Sequence, residues 1–516
     1  MRLIDFFDRG VALDPERACL ADKHRSLSFR EVQRRTHRIG NQLIAGGLTP
    51  QAVGAVLSPN DIDAFSCILG ILRGGGAWMP LNARNAVDDN IAILQDNECR
   101  FLFYHSSFAE AAEHIRAQVE GLLEMICIDR PNGDDPELRS WLATASEETC
   151  YVPALPTDIA SIWPSGGTTG RSKGVMLTHL NFATMIANFV TSMPTHEPPV
   201  HLVAAPMTHA AGCIAFPLLA LGATQFVIPS ADPLEIMRAI DAQKITTLFL
   251  PPTVIYMMLG HPDVRKFDYS SLTHFIYAAA PMSAKKLEEA LEVFGPVMAQ
   301  TFGQAEAPML CTFLSPEEHL VAGDPVLEKR LMSCGRPTLF TQVEIMDDDG
   351  RILPPNAKGE IVVRGNLVMR GYYKNPKATE EASRFGWHHT GDIGMKDEDG
   401  YFYIVDRKRD MIISGGFNLY PSEIEQVLWA HEAVEDCAVV GVPDDKWGEA
   451  VKAIVQVKAG AVVTIDELAA FCRARLGGMK TPKSFEIWDQ LPRSPVGKVL
   501  KRKIRDHFWA GRARNV

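Results

Sequence analysis

The chain has 516 residues, of which 46% are hydrophobic and 22% charged, a balance that supplies a core and excludes a disordered chain. At that length several subdomains are expected, not one core. The formal net charge of −11, from 52 basic and 63 acidic residues, argues against nucleic acid as the main partner.

At the start, Asp5 and Asp8 interrupt any apolar leader, so nothing addresses the chain outward and a cytoplasmic location is expected. The longest apolar stretch, residues 213–229, contains Pro217, Gly222, Thr224 and Gln225. It falls short of the roughly 20 residues a spanning helix needs and reads as buried core. Ten cysteines are scattered without a C-x-x-C pair, which points to reduced thiols and to neither zinc nor a disulfide framework.

In chain order, residues 52–57 predict a buried strand, 63–72 a helix, and Gly74-Gly75-Gly76 a break, which is a β-then-α rhythm. An apolar run at 159–163 leads into a glycine-rich loop followed by a helix over 178–189. Residues 245–250, before Pro251-Pro252, read as a strand, and 284–294 as an amphipathic helix. An α/β body with largely parallel sheets follows. From 343 to 405, alternating segments separated by Asp/Gly/Pro turns predict a small antiparallel, barrel-like β unit. The charged run at 406–410 then precedes a last α+β module, with helices over 422–428 and 465–476 and strands over 434–442 and 452–457. The expected domains are 1–406 and 407–516.

The most informative stretch is Ser165-Gly166-Gly167-Thr168-Thr169-Gly170-Arg171-Ser172-Lys173-Gly174. Glycines let backbone N–H groups converge on an anion, hydroxyls add donors and Lys173 adds charge, so phosphates of ATP are natural guests. It is not a Walker A loop, since Ser172 precedes the lysine and Gly174 follows it. Taken alone, the stretch reads equally well as a surface turn.

The loop resembles the phosphate loop of the adenylate-forming superfamily, which includes acyl-CoA synthetases, peptide-synthetase adenylation domains and beetle luciferases. Further motifs of that superfamily follow in order, to near the end of the chain. Phe302-Gly303-Gln304-Ala305-Glu306 is similar to its aromatic-Gly-x-Thr-Glu motif, which implies that Phe302 stacks on adenine and Glu306 holds magnesium. Ala305 departs from the motif, removing a hydroxyl contact to phosphate worth about 1–3 kcal/mol. Ala279, Ala280 and Pro281 fall on the segment lining the adenine site. Thr390-Gly391-Asp392 resembles the ribose-binding motif, with Arg407 as a second ribose or phosphate contact. Arg409 falls on the hinge position, where Asp or Lys is usual, and Gly415-Gly416 resembles the loop lining the pantetheine tunnel. Lys498, in Pro492-Arg493-Ser494-Pro495-Val496-Gly497-Lys498, matches the terminal adenylation lysine. Pro206-Met207-Thr208-His209 resembles the segment beside the acyl pocket, which implies a gating role for His209. Cys213, Phe216, Tyr256, Ala279 and Gly303 are candidates to line that pocket.

Each residue has a plainer reading alone: Glu306 as a solvated carboxylate, Asp392 as a turn residue, Lys498 as part of a basic face with Lys501, Arg502, Lys503 and Arg505. Their order in one chain decides for function. The resemblance implies an AMP-forming acyl-CoA synthetase of the fatty-acid-CoA ligase kind, with a mobile C-terminal lid. ATP, Mg2+ and coenzyme A would be its cofactors and a carboxylic acid bulkier than acetate its substrate. A ligase loading a carrier protein and a catalytically silent nucleotide-binding homologue are the alternatives, and a homodimer is left open.

Overall fold

The structure, a computed structural model, describes residues 1–165, 172–280, 282–321, 324–415, 417–444, 446–493 and 499–510. It divides into two compact units, 1–343 with 363–388, and 344–362 with 389–516. No helix among the described residues is long and apolar enough to cross a membrane.

The apolar run near the start of the first unit forms the strand Val53–Leu57, buried throughout, as a parallel strand covered on both faces must be. The helix Ile62–Arg73 follows, capped by Asp61, whose carboxylate accepts from the amides of Asp63 and Ala64. The chain then returns as Ala77–Pro80, parallel to the first strand. These join a sheet in the order Gly371–Tyr372, Gly174–Thr178, Ile159–Pro164, Ala77–Pro80, Val53–Leu57, Cys99–Tyr104, Glu124–Cys127. Its middle is parallel, while Ile159–Pro164 and Gly174–Thr178 form an antiparallel hairpin with Gly371–Tyr372 on its outer edge.

A second sheet in the same unit runs Arg336–Pro337, Ala307–Leu314, Met298–Gln304, His274–Tyr277, Thr247–Leu250, Val200–Val203, Thr224–Val227, Ala18–Ala21, Ser26–Ser28. It is parallel through its centre and packs Leu202, Leu248, Leu250 and Phe275 against Ile236, Ile240, Ile255 and Leu287. The helix expected over 284–294 is Ala284–Phe294, with Ser283 accepting at its N-terminus from the Lys286 amide.

Asn60 ties the two sheets together. It stands between Val53–Leu57 of one sheet and the helix Ile62–Arg73, yet its Nδ2 lies 3.0–3.4 Å from the carbonyls of Val203, Ala204, Ala205 and Ile228 at the strand ends of the other. Its Oδ1 accepts from the Met207 amide at 2.8 Å. One amide side chain thus satisfies backbone groups that a loop crossing the interior would otherwise leave unmatched.

Among the buried histidines of this unit, His179 Nδ1 accepts from the Leu3 amide (3.0 Å), His201 Nδ1 lies 2.6 Å from Gln225 Oε1, and His319 Nε2 lies 3.0 Å from the Tyr277 hydroxyl. Burial pushes each of them down to about 4, so all are neutral at pH 7.

In the second unit the alternating segments form a sheet in the order Gln342–Met346, Lys358–Arg364, His388–Lys396, Phe402–Arg407, its last pair antiparallel, with the outermost residues reaching into the first unit's sequence ranges. The α+β module carries the helix Pro421–Trp429, the long hairpin of Val434–Asp444 and Gly448–Val457, and the helix Ile465–Lys480, close to the expected bounds. Its core joins Ile424, Leu428, Val439, Ala453, Leu468 and Phe485. Within it Lys501 Nζ meets Glu425 Oε2 at 2.8 Å, and Glu425 Oε1 accepts from the Val439 amide at 2.7 Å. None of the ten cysteines is in a disulfide, and all are buried.

Candidate active site

Ser165 and Lys173 close the neck of the glycine-rich loop. The Ser165 amide donates to the Lys173 carbonyl (2.8 Å), the Lys173 amide donates to Ser165 Oγ (3.0 Å), and the Ser172 hydroxyl donates to the Ser165 carbonyl (2.8 Å). The loop therefore springs from a hairpin base whose own polar groups are satisfied. Gly166, Gly167, Thr168, Thr169 and Gly170 lie outside the described residues.

Beyond the neck, the Lys173 ammonium lies 4.0 Å from the centroid of the Tyr372 ring, and the Tyr372 hydroxyl donates to Glu306 Oε1 at 2.8 Å. Glu306 and Ala305 form the two-residue turn between Met298–Gln304 and Ala307–Leu314, where Gln304 pairs with Ala307. The Glu306 carbonyl accepts from the Met369 amide at 2.7 Å. Two of the expected site residues, far apart in sequence, are thus joined by a third that sequence reading missed.

In the same hairpin, Phe302 is buried and Gly303 sits at an irregularity opposite Met309. A Cβ on Gly303 would fall 2.5 Å from the Met309 nitrogen, so only glycine fits beside that left-handed residue (φ 63°). The Gln304 side chain is fixed by His388, whose Nε2 lies 3.0 Å from its Oε1. Ala279 takes a left-handed φ of 75° and is exposed, with Ala280 half-buried after it. Pro281 lies outside the described residues.

His209 precedes the helix Ala210–Ala220, half-buried, its Nδ1 3.3 Å from the Thr208 hydroxyl. Gly212 of that helix would place a Cβ 1.8 Å from the Met207 carbonyl oxygen, so the approach to His209 is closed to larger residues there. Cys213 is buried and its thiol is raised far above the ordinary range by burial alone. Phe216 packs with Phe65, Trp78 and Phe182, ring centroids 5.8–6.4 Å apart. Tyr256 is half-buried, and its hydroxyl accepts from the Ser283 amide at 2.9 Å.

The remaining expected residues belong to the second unit. Arg407 Nε lies 2.9 Å from Asp392 Oδ1, across the pairing of Asp392 with Arg407 in adjacent strands. Asp392 is buried while Arg407 is exposed, so the carboxylate is fixed and the guanidinium faces outward. Thr390-Gly391-Asp392 is held from behind by Glu360, which accepts from the Gly391 amide (3.0 Å), His389 Nδ1 (3.0 Å) and Lys408 Nζ (3.1 Å). Burial works to raise the Glu360 pKa, but those donors outweigh it and hold the carboxyl below its ordinary value. Arg409 lies in the turn Lys408–Asp410, its carbonyl accepting from Arg505 Nη1 at 3.3 Å. Gly415 takes φ 58°, and a Cβ there would fall 2.5 Å from the Trp447 indole. Gly416 and Lys498 lie outside the described residues.

Among the described residues no three His, Cys, Asp or Glu side chains converge as a metal cage. A single half-buried carboxylate, Glu306, beside the base of the glycine-rich loop suits magnesium, which keeps waters and takes other oxygens from substrate phosphates.

Residues 7–373 match the model of the AMP-binding enzymes, and residues 423–498 that of the AMP-binding enzyme C-terminal domain. The chain belongs to the AMP-binding enzyme family. This AMP-binding enzyme is 37% identical over 489 residues to the medium/long-chain-fatty-acid–CoA ligase FadD8 of Mycobacterium tuberculosis, covering 91% of this chain and 84% of that one. It is 36% identical over 502 residues to a feruloyl-CoA synthase of Amycolatopsis, covering 97% and 98% of the two chains. Its fold matches the ATP-bound crystal structure of MatB from Rhodopseudomonas palustris with a TM-score of 0.89 and 28% identity, covering 99% of each chain. The AMP-binding enzyme is therefore an ATP-using, acyl-adenylate-forming ligase with a large α/β N-terminal part and a small C-terminal part.

Proposed function

We propose that the enzyme activates a carboxylic acid as its acyl-adenylate and transfers the acyl group to coenzyme A. The observation that supports this is the linkage of Lys173 and Glu306 through Tyr372 at the base of the glycine-rich loop, which brings a cation and a carboxylate together there. The names of the two relatives support a free thiol acceptor and an acid bulkier than acetate, either aliphatic or aromatic.

A carboxylate resists attack because oxide is its leaving group, so the first half-reaction joins that oxygen to phosphorus and makes AMP the leaving group. The substrate carboxylate oxygen attacks the α-phosphorus, a P–O bond forms, and pyrophosphate leaves. Ser165, Gly166, Gly167, Thr168, Thr169, Gly170 and Lys173 orient the departing phosphates, and Lys498 stabilises charge on the α-phosphoryl group. Glu306 would hold magnesium, which would supply electrostatic screening of the phosphate oxygens. Phe302, Gly303, Ala279, Ala280 and Pro281 hold adenine, and Asp392 with Arg407 the ribose. His209 gates the acid, which lies near Cys213, Phe216, Tyr256, Ala279 and Gly303. In the second half-reaction the thiol sulfur attacks the acyl carbon and AMP leaves. Domain 407–516 turns at Arg409 between these steps, withdrawing Lys498 and presenting Gly415 and Gly416 to the pantetheine arm. The enzyme acts in the cytoplasm, in keeping with ten cysteines outside any disulfide.

The test is release of AMP and pyrophosphate from Mg-ATP across a panel of carboxylic acids, with and without coenzyme A. Acyl-CoA formation with at least one acid, abolished in Lys498→Ala, is the expected result. Pyrophosphate exchange without acyl-CoA would instead identify a carrier protein as the acceptor.

A further inference from the structure

The segment 369–372 reaches Glu306 twice. The Met369 amide holds its backbone carbonyl at 2.7 Å and the Tyr372 hydroxyl its carboxylate at 2.8 Å. Tyr372 is itself fixed from outside. Gly371 pairs with Met176 and Tyr372 with Val175 of the hairpin that leaves the glycine-rich loop, and the Tyr372 amide donates to Thr379 Oγ1 at 2.9 Å. Gly371 takes φ 146°, and a Cβ there would fall 2.8 Å from Thr379 Cγ2, so the segment accepts no larger residue at that point.

An uncharged ring therefore stands between a cation and an anion. Lys173 and Glu306 form no direct ion pair, which would spend each charge on the other. The ammonium over the ring face instead draws on its electrons and strengthens the phenolic O–H as a donor to Glu306. Both charges stay available to a ligand, and their separation is set by one side chain.

We propose that Tyr372 is a positioning residue for the adenylation site: its hydroxyl aims the Glu306 carboxylate at a divalent cation, and its ring seats the Lys173 ammonium against nucleotide phosphate. The proposal rests on the adenylate-forming reading above and extends it to a residue that touches no reacting atom.

The test measures affinity for α,β-methylene-ATP, which cannot be cleaved at the reacting bond, with saturating magnesium and with chelator. Tyr372→Phe keeps the ring and loses the hydroxyl. The magnesium-dependent gain in affinity should fall about tenfold, with metal-free affinity within about twofold of the parent. Tyr372→Leu loses both contacts and should also weaken metal-free binding by roughly tenfold. A Tyr372→Phe protein with an unchanged magnesium gain overturns the proposal, as does one weakened equally with and without metal, which would mark a merely structural ring. If the parent protein binds the analogue under neither condition, the adenylate-forming reading fails first and takes this one with it.

Discussion

Lys501 Nζ and Glu425 Oε2 lie 2.8 Å apart with both side chains largely withdrawn from water, three residues beyond the position of Lys498. Burial works to lower the Lys501 pKa, but Glu425 and Asp406 outweigh it and keep the ammonium charged. Removing one partner strands the other, so Glu425→Ala should cost about 3–5 kcal/mol locally, whereas the paired change Glu425→Leu with Lys501→Met should cost only about 1–3 kcal/mol, for the Val439 amide it leaves without its acceptor. Hydrogen exchange of the Val434–Asp444 and Gly448–Val457 amides in each variant checks both values.

Acid should loosen the first unit before its carboxylates titrate. His179, His201 and His319 are each held at about 4 by burial, against an ordinary value of about 6.5 in the unfolded chain. Below about 6.5 the unfolded chain takes up protons that the folded one refuses. Their stabilisation is therefore complete above that pH and lost by about pH 4, at up to about 1.4 kcal/mol per pH unit for each histidine. Urea midpoints at pH 7.5, 6 and 5 should fall steadily. His179→Gln, which still offers an acceptor to the Leu3 amide, should reduce the slope without abolishing it, since burial lowers His201, His319, His37 and His274 as well.

Asn60 holds backbone at the strand ends of the second sheet, so Asn60→Ala should destabilise by about 1–3 kcal/mol by leaving the Met207 amide, and at most two carbonyls, unmatched. Because the loop it holds runs straight into Thr208 and His209, KM for the acid should rise more than KM for ATP. Equal rises in both would show that the loop does not report on the acid.

Ala305 occupies the hairpin turn next to Glu306, where a hydroxyl could be added without disturbing a strand. Ala305→Thr should speed pyrophosphate exchange by roughly tenfold if that side chain faces the α-phosphate. An unchanged rate would place the turn away from it.

Local patterns were readable wherever a single stretch of chain decided them. The helix at Ala284–Phe294 declared itself by apolar spacing, and the alternation from 343 onward announced the sheet that carries Asp392 and Arg407. The strand expected over 245–250 starts at Thr247, because Ile245 still packs against the preceding helix and Thr246 shares hydrogen bonds with Val200. Within the candidate site, motif order named Lys173 and Glu306, but nothing in sequence pointed to Tyr372, Asn60 or Glu360. Each acts on partners contributed by other segments, which neither periodicity nor turn chemistry encodes. Glycine offered the nearest hint, since Gly303 and Gly371 both mark close approaches of backbone or side chain that only the fold explains.

The pairing of Gly371–Tyr372 with Gly174–Thr178 bears on how such enzymes can be recombined. The proposed nucleotide side is assembled from pieces nearly two hundred residues apart, so a chimera that imports one hairpin must import its distant edge strand as well. Residues 206–256, from the loop before His209 to Tyr256, form one continuous stretch, held by Asn60 at the Met207 amide and by Ala18–Ala21 alongside Thr224–Val227. Grafting that stretch from a relative is the shorter route to a new acid preference, provided an asparagine waits at position 60 to receive it.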